Sequence, residues 1–193
     1  MKTLNNEHFH IDFAFAQKAK HGENTCGDTV LYRKVDNGNR LICVLSDGLG
    51  SGIKANILSS MTASMALRFM EDNRSIAEFA DIMISTLPVC TERKLSYATF
   101  SIIDITQSGR VTIAEMGNPN FILIKDSKLI KIKPKVFKTK KWQLRNINFY
   151  DFDVNLNHRL IMISDGISQA GPNAYFNYKE TVRNILSKDK SLN

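Results

Sequence analysis

Two stretches of the chain end an apolar run in the same way. Arg40-Leu-Ile-Cys-Val-Leu-Ser46-Asp47-Gly48 and Arg159-Leu-Ile-Met-Ile-Ser164-Asp165-Gly166 both close on Ser-Asp-Gly, and a third acid, Asp28, follows Gly27 ahead of another β-rich run. A carboxylate at the end of a buried strand sits at the edge of a core, where an isolated charge is costly unless it is paired or holds a cation. Glycine beside it leaves the backbone carbonyl approachable from the same side. Carboxylate, carbonyl and water oxygens are the ligands that hard divalent cations such as Mg²⁺ and Mn²⁺ favour. A single Asp-Gly is commonly only a turn. Two strand ends of this kind, joined by an early Gly-Asp, suggest one site.

The glycines in Gly48-Leu49-Gly50-Ser51-Gly52 admit a competing reading as a phosphate cradle at the start of a helix. Their spacing fits neither Walker A nor the dinucleotide fingerprint, and Lys54 lacks the preceding pattern such a lysine requires. His8, His10, His21 and His158 are scattered and share no ligand spacing. Cys26, Cys43 and Cys90 show no metal-type spacing, and an odd count argues against a disulfide framework. Cys26 reads as packing. Asp104, Asp151 and Asp153 read as ordinary strand-end or surface acids.

Periodicity supplies the elements that must hold these acids. Residues 9–16 alternate as a half-buried strand does. Thr29 to Val35 and Arg40 to Ser46 read as a hairpin across Asp36-Asn37-Gly38-Asn39, because Asn-Gly tolerates positive φ. After the glycines, Ile53, Ile57, Met61, Met65, Leu67 and Met70 follow helical spacing. The methionines among them should face the sheet, and Ser59, Ser60, Ala63, Ser64 and Ala66 should allow close, slidable packing. Ser75 and Glu78 make a capping box for a second helix toward Leu87. Strands then follow at Tyr97–Ile105, Arg110–Glu115, Asn120–Lys125 and Lys128–Lys133. A hairpin-like pair, Asn148–Val154 with Arg159–Ser164, crosses Asn155-Leu-Asn157, and Tyr178 to Lys188 looks helical. This order gives an α+β fold, a sandwich of sheets with helices outside.

With 193 residues, 43% hydrophobic and 23% charged, the chain is long enough for one domain with its own core, and residues 1–193 show no linker. The longest apolar runs are far short of the roughly 20 residues that span a bilayer. With no signal-peptide pattern, the expected location is the cytoplasm. The net charge of +7 is concentrated in Lys128 to Arg145, which contains no acid. Such a run is usually a solvated hairpin, with a docking surface for an acidic or phosphorylated protein as the alternative. No nucleic-acid-binding motif accompanies it, so neither nucleic acid nor membrane is an expected partner.

Cys26-Gly27-Asp28, Ser46-Asp47-Gly48-Leu49-Gly50-Ser51-Gly52 with Ala55, Met116-Gly117-Asn118-Pro119 and Ser164-Asp165-Gly166 resemble, in order and spacing, the metal-dependent (PPM) protein phosphatases. The likeness is to the stage II sporulation protein E branch, and it runs from about Gly22 to Gly171. That resemblance implies a β-sandwich flanked by helices, with two Mn²⁺ or Mg²⁺ ions at one end. Carried over by motif, Asp47 would bridge both metals, the Gly48 carbonyl would be a further ligand, Asp165 would hold one ion, and Asp28 would sit on or beside the other. Asp47 and Asp165 are thereby the expected catalytic residues. The implied reaction is hydrolysis of phosphoserine or phosphothreonine on a regulatory protein, an anti-sigma-factor antagonist being the typical target, by metal-activated water. The helices between Ile53 and Leu87 are implied to regulate activity.

Two departures accompany the resemblance. Eukaryotic relatives carry a histidine after the Asp-Gly, where this chain has Leu49. The family also ends in Asp-Asp-x-Thr/Ser before a last strand, whereas here the only Asp after Asp165 is Asp189. The expectation is therefore a single phosphatase domain whose C-terminal end is incomplete, with one metal position weak. A missing last strand would expose a sheet edge open to pairing with another chain, a homodimer being one form of it, or to covering by the C-terminal segment. The rival reading is a phosphatase-like binding module that has lost turnover.

Overall fold

The structure, a computed structural model, describes residues 10–72, 98–138 and 146–169, with single positions or pairs at 78–79, 82–83, 86, 89–90, 95–96, 182 and 184. In chain order the strands are β1 (Asp28–Val35), β2 (Arg40–Gly48), β3 (Val89–Cys90), β4 (Leu95–Ser96), β5 (Ala98–Thr106), β6 (Arg110–Met116), β7 (Ile122–Lys125), β8 (Lys128–Ile130), β9 (Lys135–Lys138), β10 (Asn146–Asp153) and β11 (His158–Ile161). Helix α1 spans Gly52–Glu71 and the short α2 spans Asp165–Ser168. An antiparallel six-stranded sheet has the order β1-β2-β5-β6-β10-β9, a three-stranded sheet the order β11-β7-β8, and β3 pairs with β4.

The β1–β2 turn forms as expected. Asp36, Asn37 and Gly38 take φ of 52, 57 and 90°, a left-handed region in which Asp, Asn and Gly are the tolerated residues. Its register sets Asp28 opposite Asp47 and Val35 opposite Arg40. β2 is buried on both faces from Arg40 to Ser46, which is why it reads as an unbroken apolar run. On one face Ile42, Val44, Phe100, Ile102 and Ile147 pack against Ala63, Ala66, Leu67 and Met70 of α1. On the other face Ile103, Val111, Ile113 and Tyr150 meet Phe121 and Leu123 of the small-sheet layer. The result is an α+β sandwich with α1 outside the large sheet.

Several expectations change. Residues 10–16 form no strand and enter no ladder among the described residues. Instead Phe13 lays its ring 4.5 Å from that of Tyr32 on β1. The expected hairpin across Asn155–Asn157 is a crossover between sheets, since β10 pairs with β6 and β9 while β11 pairs with β7. The run 128–133 is strand only over β8, and β9 had no sequence signal of its own. The α1 stripe is also different. Ile53, Ile57 and Met61 are 69, 52 and 53% exposed, while Ala55, Ser59, Thr62, Ala63 and Ala66 are buried. Small residues let the helix axis approach the sheet, and that gain in contact outweighs burial of the larger side chains. Of the three methionines, Met70 is buried and Met65 is partly buried against the core.

Asp104 is not an ordinary surface acid. Arg40 Nε and Nη2 donate to its two carboxylate oxygens at 2.8 and 2.6 Å, and Nη2 also donates to the Met70 carbonyl at 2.8 Å. This bidentate pair ties β2 to β5 and to the end of α1. Asp151 and Asp153 do match the surface reading, each bound to Arg110. For the second helix, the described positions Glu78, Phe79, Ile82, Met83 and Thr86 are helical, and Phe79 and Met83 are fully buried. The expected C-terminal helix lies outside the described residues except at Val182 and Asn184, both helical.

Candidate metal centre

Asp28 opens β1, Asp47 stands opposite it near the end of β2, and Asp165 begins α2 just beyond β11. The hairpin register alone puts two carboxylates on neighbouring strands at one level, where facing side chains stand about 5 Å apart at Cβ and like charges repel. The small sheet adds the third. Ser164 Oγ donates to Asp28 Oδ2 at 2.7 Å, so the two Ser-Asp-Gly ends meet through Asp28.

The electrostatics register this crowding. Burial first, then the charges of Asp28 and Asp165 and hydrogen bonds shared with them, push the Asp47 carboxyl up to about 8. A carboxyl raised so far marks three acids competing for one region. Among the described residues, no three His, Cys, Asp or Glu are already fanned out as a metal cage. The two observations are compatible, because carboxylates that share a proton draw together, whereas carboxylates around a cation point at the cation. The convergence follows from backbone register and from the Ser164–Asp28 bond. The donors are all hard oxygens, the type that Mg²⁺ and Mn²⁺ select. A divalent cation would relieve the repulsion that raises the Asp47 carboxyl.

The glycines have a steric function beyond the one expected. A Cβ on Gly48 would overlap the Ala55 backbone, 2.6 Å from its carbonyl carbon, and one on Gly27 would stand 3.2 Å from Ala55 Cβ. Both glycines therefore let the first turn of α1 press against the strand ends that carry Asp28 and Asp47. Gly50 and Gly52 take φ of 101 and 68°, which turns the chain into the helix. The helix then latches the start of β1. Asn56 Nδ2 donates to the Cys26 carbonyl at 2.9 Å, Ser59 Oγ to the Gly27 carbonyl at 2.7 Å, and Thr29 Oγ1 bonds Ser59 and Ser60. These serines clasp the strand where slidable packing was expected.

Sequence reasoning missed the residues that brace Asp47 from behind. Thr99, its neighbour on β5, donates to the Asp47 carbonyl at 3.5 Å and to Asn118 Oδ1. Asn118 Nδ2 donates to Ser101 Oγ at 3.1 Å and to the Leu45 carbonyl at 3.4 Å. Ser46 Oγ donates to the Thr99 carbonyl at 2.8 Å. Asn118 was visible as part of Met-Gly-Asn-Pro, and Gly117 takes a φ of 81° there. Thr99 and Ser101 carried no signal, because polar residues alternating in a strand usually face water.

Two of the four histidines, His10 and His158, have partners away from the acids. His10 faces Asp12, and His158 accepts from the Asn155 backbone. Leu49 is partly buried. Asp189 lies outside the described residues. Burial pushes the Cys43 thiol up to about 12, in keeping with packing inside β2.

Comparison with known proteins agrees with this arrangement. The stage II sporulation protein E (SpoIIE) family model matches residues 37–192. Phosphoserine phosphatase RsbX of Bacillus subtilis (strain 168) is 33% identical over 118 residues, which cover 61% of this chain and 55% of RsbX. The matched region thus spans about half the length of that curated relative. A crystal structure of RsbX in complex with magnesium superposes with a TM-score of 0.63 at 23% identity, covering 90% of this chain and 78% of the other. The PP2C phosphatase domain of SpoIIE from Bacillus subtilis, solved with a fragment of its regulatory domain, gives a TM-score of 0.72 at 20% identity over 90% of this chain and 50% of the other. The fold is thus that of the PP2C phosphatases, and the chain belongs to the stage II sporulation protein E family.

Proposed function

We propose that the chain is a metal-dependent protein serine/threonine phosphatase that uses Asp28, Asp47, Asp165 and the Gly48 carbonyl to hold Mn²⁺ or Mg²⁺. The observation that carries this reading is the convergence of three carboxylates at one end of the sandwich, with Asp47 raised to about 8 by burial and by its two neighbours. Asp47 and Gly48 sit on a strand braced by Thr99 and Asn118 and pressed by Ala55, so their oxygens are fixed before any ligand arrives. Asp165 is exposed and sits on a short helix, which suits the more adjustable ligand. Bound there, two hard cations would supply a nucleophile at neutral pH and stabilise charge on phosphoryl oxygens.

The family, and the names of RsbX and SpoIIE, support a phosphoserine- or phosphothreonine-bearing regulatory protein as substrate, an anti-sigma-factor antagonist among the candidates. Among the described residues no helix is long and apolar enough to cross a membrane, and we place the protein in the cytoplasm on the resemblance. The full chain should hydrolyse p-nitrophenyl phosphate only when Mn²⁺ or Mg²⁺ is added. Asp47→Asn should lower the rate by about 10³-fold or more with the fold intact, the scale on which a group acting directly in the transition state is felt. Equal rates in the variant would refute the assignment. A chain that binds a phosphopeptide with no turnover at any metal concentration would favour the binding-module reading.

A further inference from the structure

The described part of the basic tract, residues 128–138, has a definite place in the fold. Among the described residues β8 ends the small sheet and β9 ends the large one, and residues 131–134 join these two strands. Lys128, Lys131, Lys133 and Lys135 are all exposed along this path. Leu129 and Val136 lie among them, 36 and 48% exposed. Among the described residues, none of these lysines takes part in a salt bridge. The acids that bracket the tract in sequence are Asp126 and Asp151, and Asp151 is bound to Arg110.

Resting on the phosphatase reading above, we propose that this lysine-lined edge docks an acidic, extended segment of the phosphoprotein substrate. A terminal strand offers unpaired backbone groups to an added strand, and the exposed Val136 and Leu129 offer apolar footholds. The lysines select what may be added. They repel the same edge of a second copy and attract a segment rich in Asp and Glu. Nucleic acid is the less suited occupant, because among the described residues 128–138 the exposed side chains include no arginine fork and no aromatic stacking platform.

The edge leads to the site. Val136 lies opposite Asn148, Asn148 opposite Glu115, Gly117 bridges Phe100, and Thr99 lies opposite Asp47. β9 therefore runs from Lys135 toward the same sheet end that carries Asp47. The large sheet places β10, β6 and β5 between β9 and β2, which is about 19 Å at about 4.8 Å per strand. An extended chain covers that distance in about six residues. The acidic block and the phosphoserine should therefore be separated by at least that spacing.

The test uses the full chain and fluorescent phosphoserine peptides carrying a block of about six glutamates, either adjacent to the phosphoserine or after a spacer of about seven residues. A third peptide carries glutamines in the spaced block. With the spaced acidic peptide, kcat/KM at low salt should exceed that for the glutamine peptide about tenfold, chiefly through KM, and the gain should fade as salt screens it. K131E/K133E/K135E should abolish the gain while p-nitrophenyl phosphate turnover stays unchanged. Anisotropy with the same peptides reads docking independently of turnover. Inactivity toward p-nitrophenyl phosphate would refute the phosphatase reading, while anisotropy would still decide the docking one. Equal peptide binding by the triple variant would overturn the proposal, leaving the lysines as protection of an open edge. Displacement of the peptide by single-stranded RNA at lower concentration than by free acidic peptide would overturn it in favour of nucleic acid.

Discussion

The ends of β2 and β11 carry nearly the same residues and meet different physics. At the end of β2, Asp47 lies in the interior of a six-stranded sheet, with Gly48 buried against Ala55 and Ser46 bonded to Thr99. Just beyond β11, Asp165 and Gly166 are exposed, among the described residues a Cβ on Gly166 would meet only Ser164 Oγ at 3.8 Å, and Ser164 reaches across to Asp28. One end is a rigid floor and the other an adjustable wall. The repeated sequence reflects a shared need for a carboxylate at a strand end. The neighbours decide how firmly that carboxylate is held.

Substitutions should separate the two ends. The largest effect is expected from Arg40→Ala, which strands Asp104 inside the sheet. Losing one partner of a buried pair costs about 3–5 kcal/mol, read as a shift in the denaturant midpoint. Next comes Gly48→Ala, which forces a methyl into the Ala55 backbone. It should lose about 3 kcal/mol, at the upper end for overpacking, whereas Gly166→Ala should change stability by less than about 0.5 kcal/mol, as surface substitutions do. Equal costs for the two glycines would break the comparison. Ala63→Leu, at a fully buried position against the sheet, should cost about 1–3 kcal/mol. If α1 also regulates the site through Gly48 and Ala55, the variant should weaken Mn²⁺ binding measured by calorimetry. A smaller cost is expected from Ser164→Ala, about 1 kcal/mol for a lost hydrogen bond, with Mn²⁺ affinity falling as Asp28 is freed.

Much of this was legible in the residues. The β1–β2 hairpin, the start of α1 and the three acid–glycine elements were readable because turn chemistry and strand burial act locally. The α1 face was misread because Ile53, Ile57 and Met61 have helical spacing but the buried side is built from Ala55, Ser59, Ala63 and Ala66. Which stripe faces inward depends on how near the sheet lies, and no local pattern states that distance. The β10–β11 crossover was misread for a related reason, since Asn155-Leu-Asn157 suits a hairpin and only the competing partners β6 and β7 forbid it. Thr99 and Asn118 matter because the fold stacks them behind Asp47, and strand pairing alone brings them there.

The central claim is that Asp28, Asp47 and Asp165 form a cation-dependent centre, and thermal unfolding against pH, in chelator and in Mn²⁺, tests it most directly. Asp47 holds its proton more tightly folded than unfolded, with the folded value near about 8 against about 3.9 in an unfolded chain. Its contribution to stability is therefore fully present below about pH 4 and is lost as pH rises through about 8. In chelator the full chain should lose midpoint temperature over that window relative to Asp47→Asn. In Mn²⁺, which binds the deprotonated form, the midpoint should instead rise with pH, and Asp47→Asn should not follow. Parallel pH curves for the two proteins in chelator, with no Mn²⁺-induced shift in the parent chain, would contradict the account.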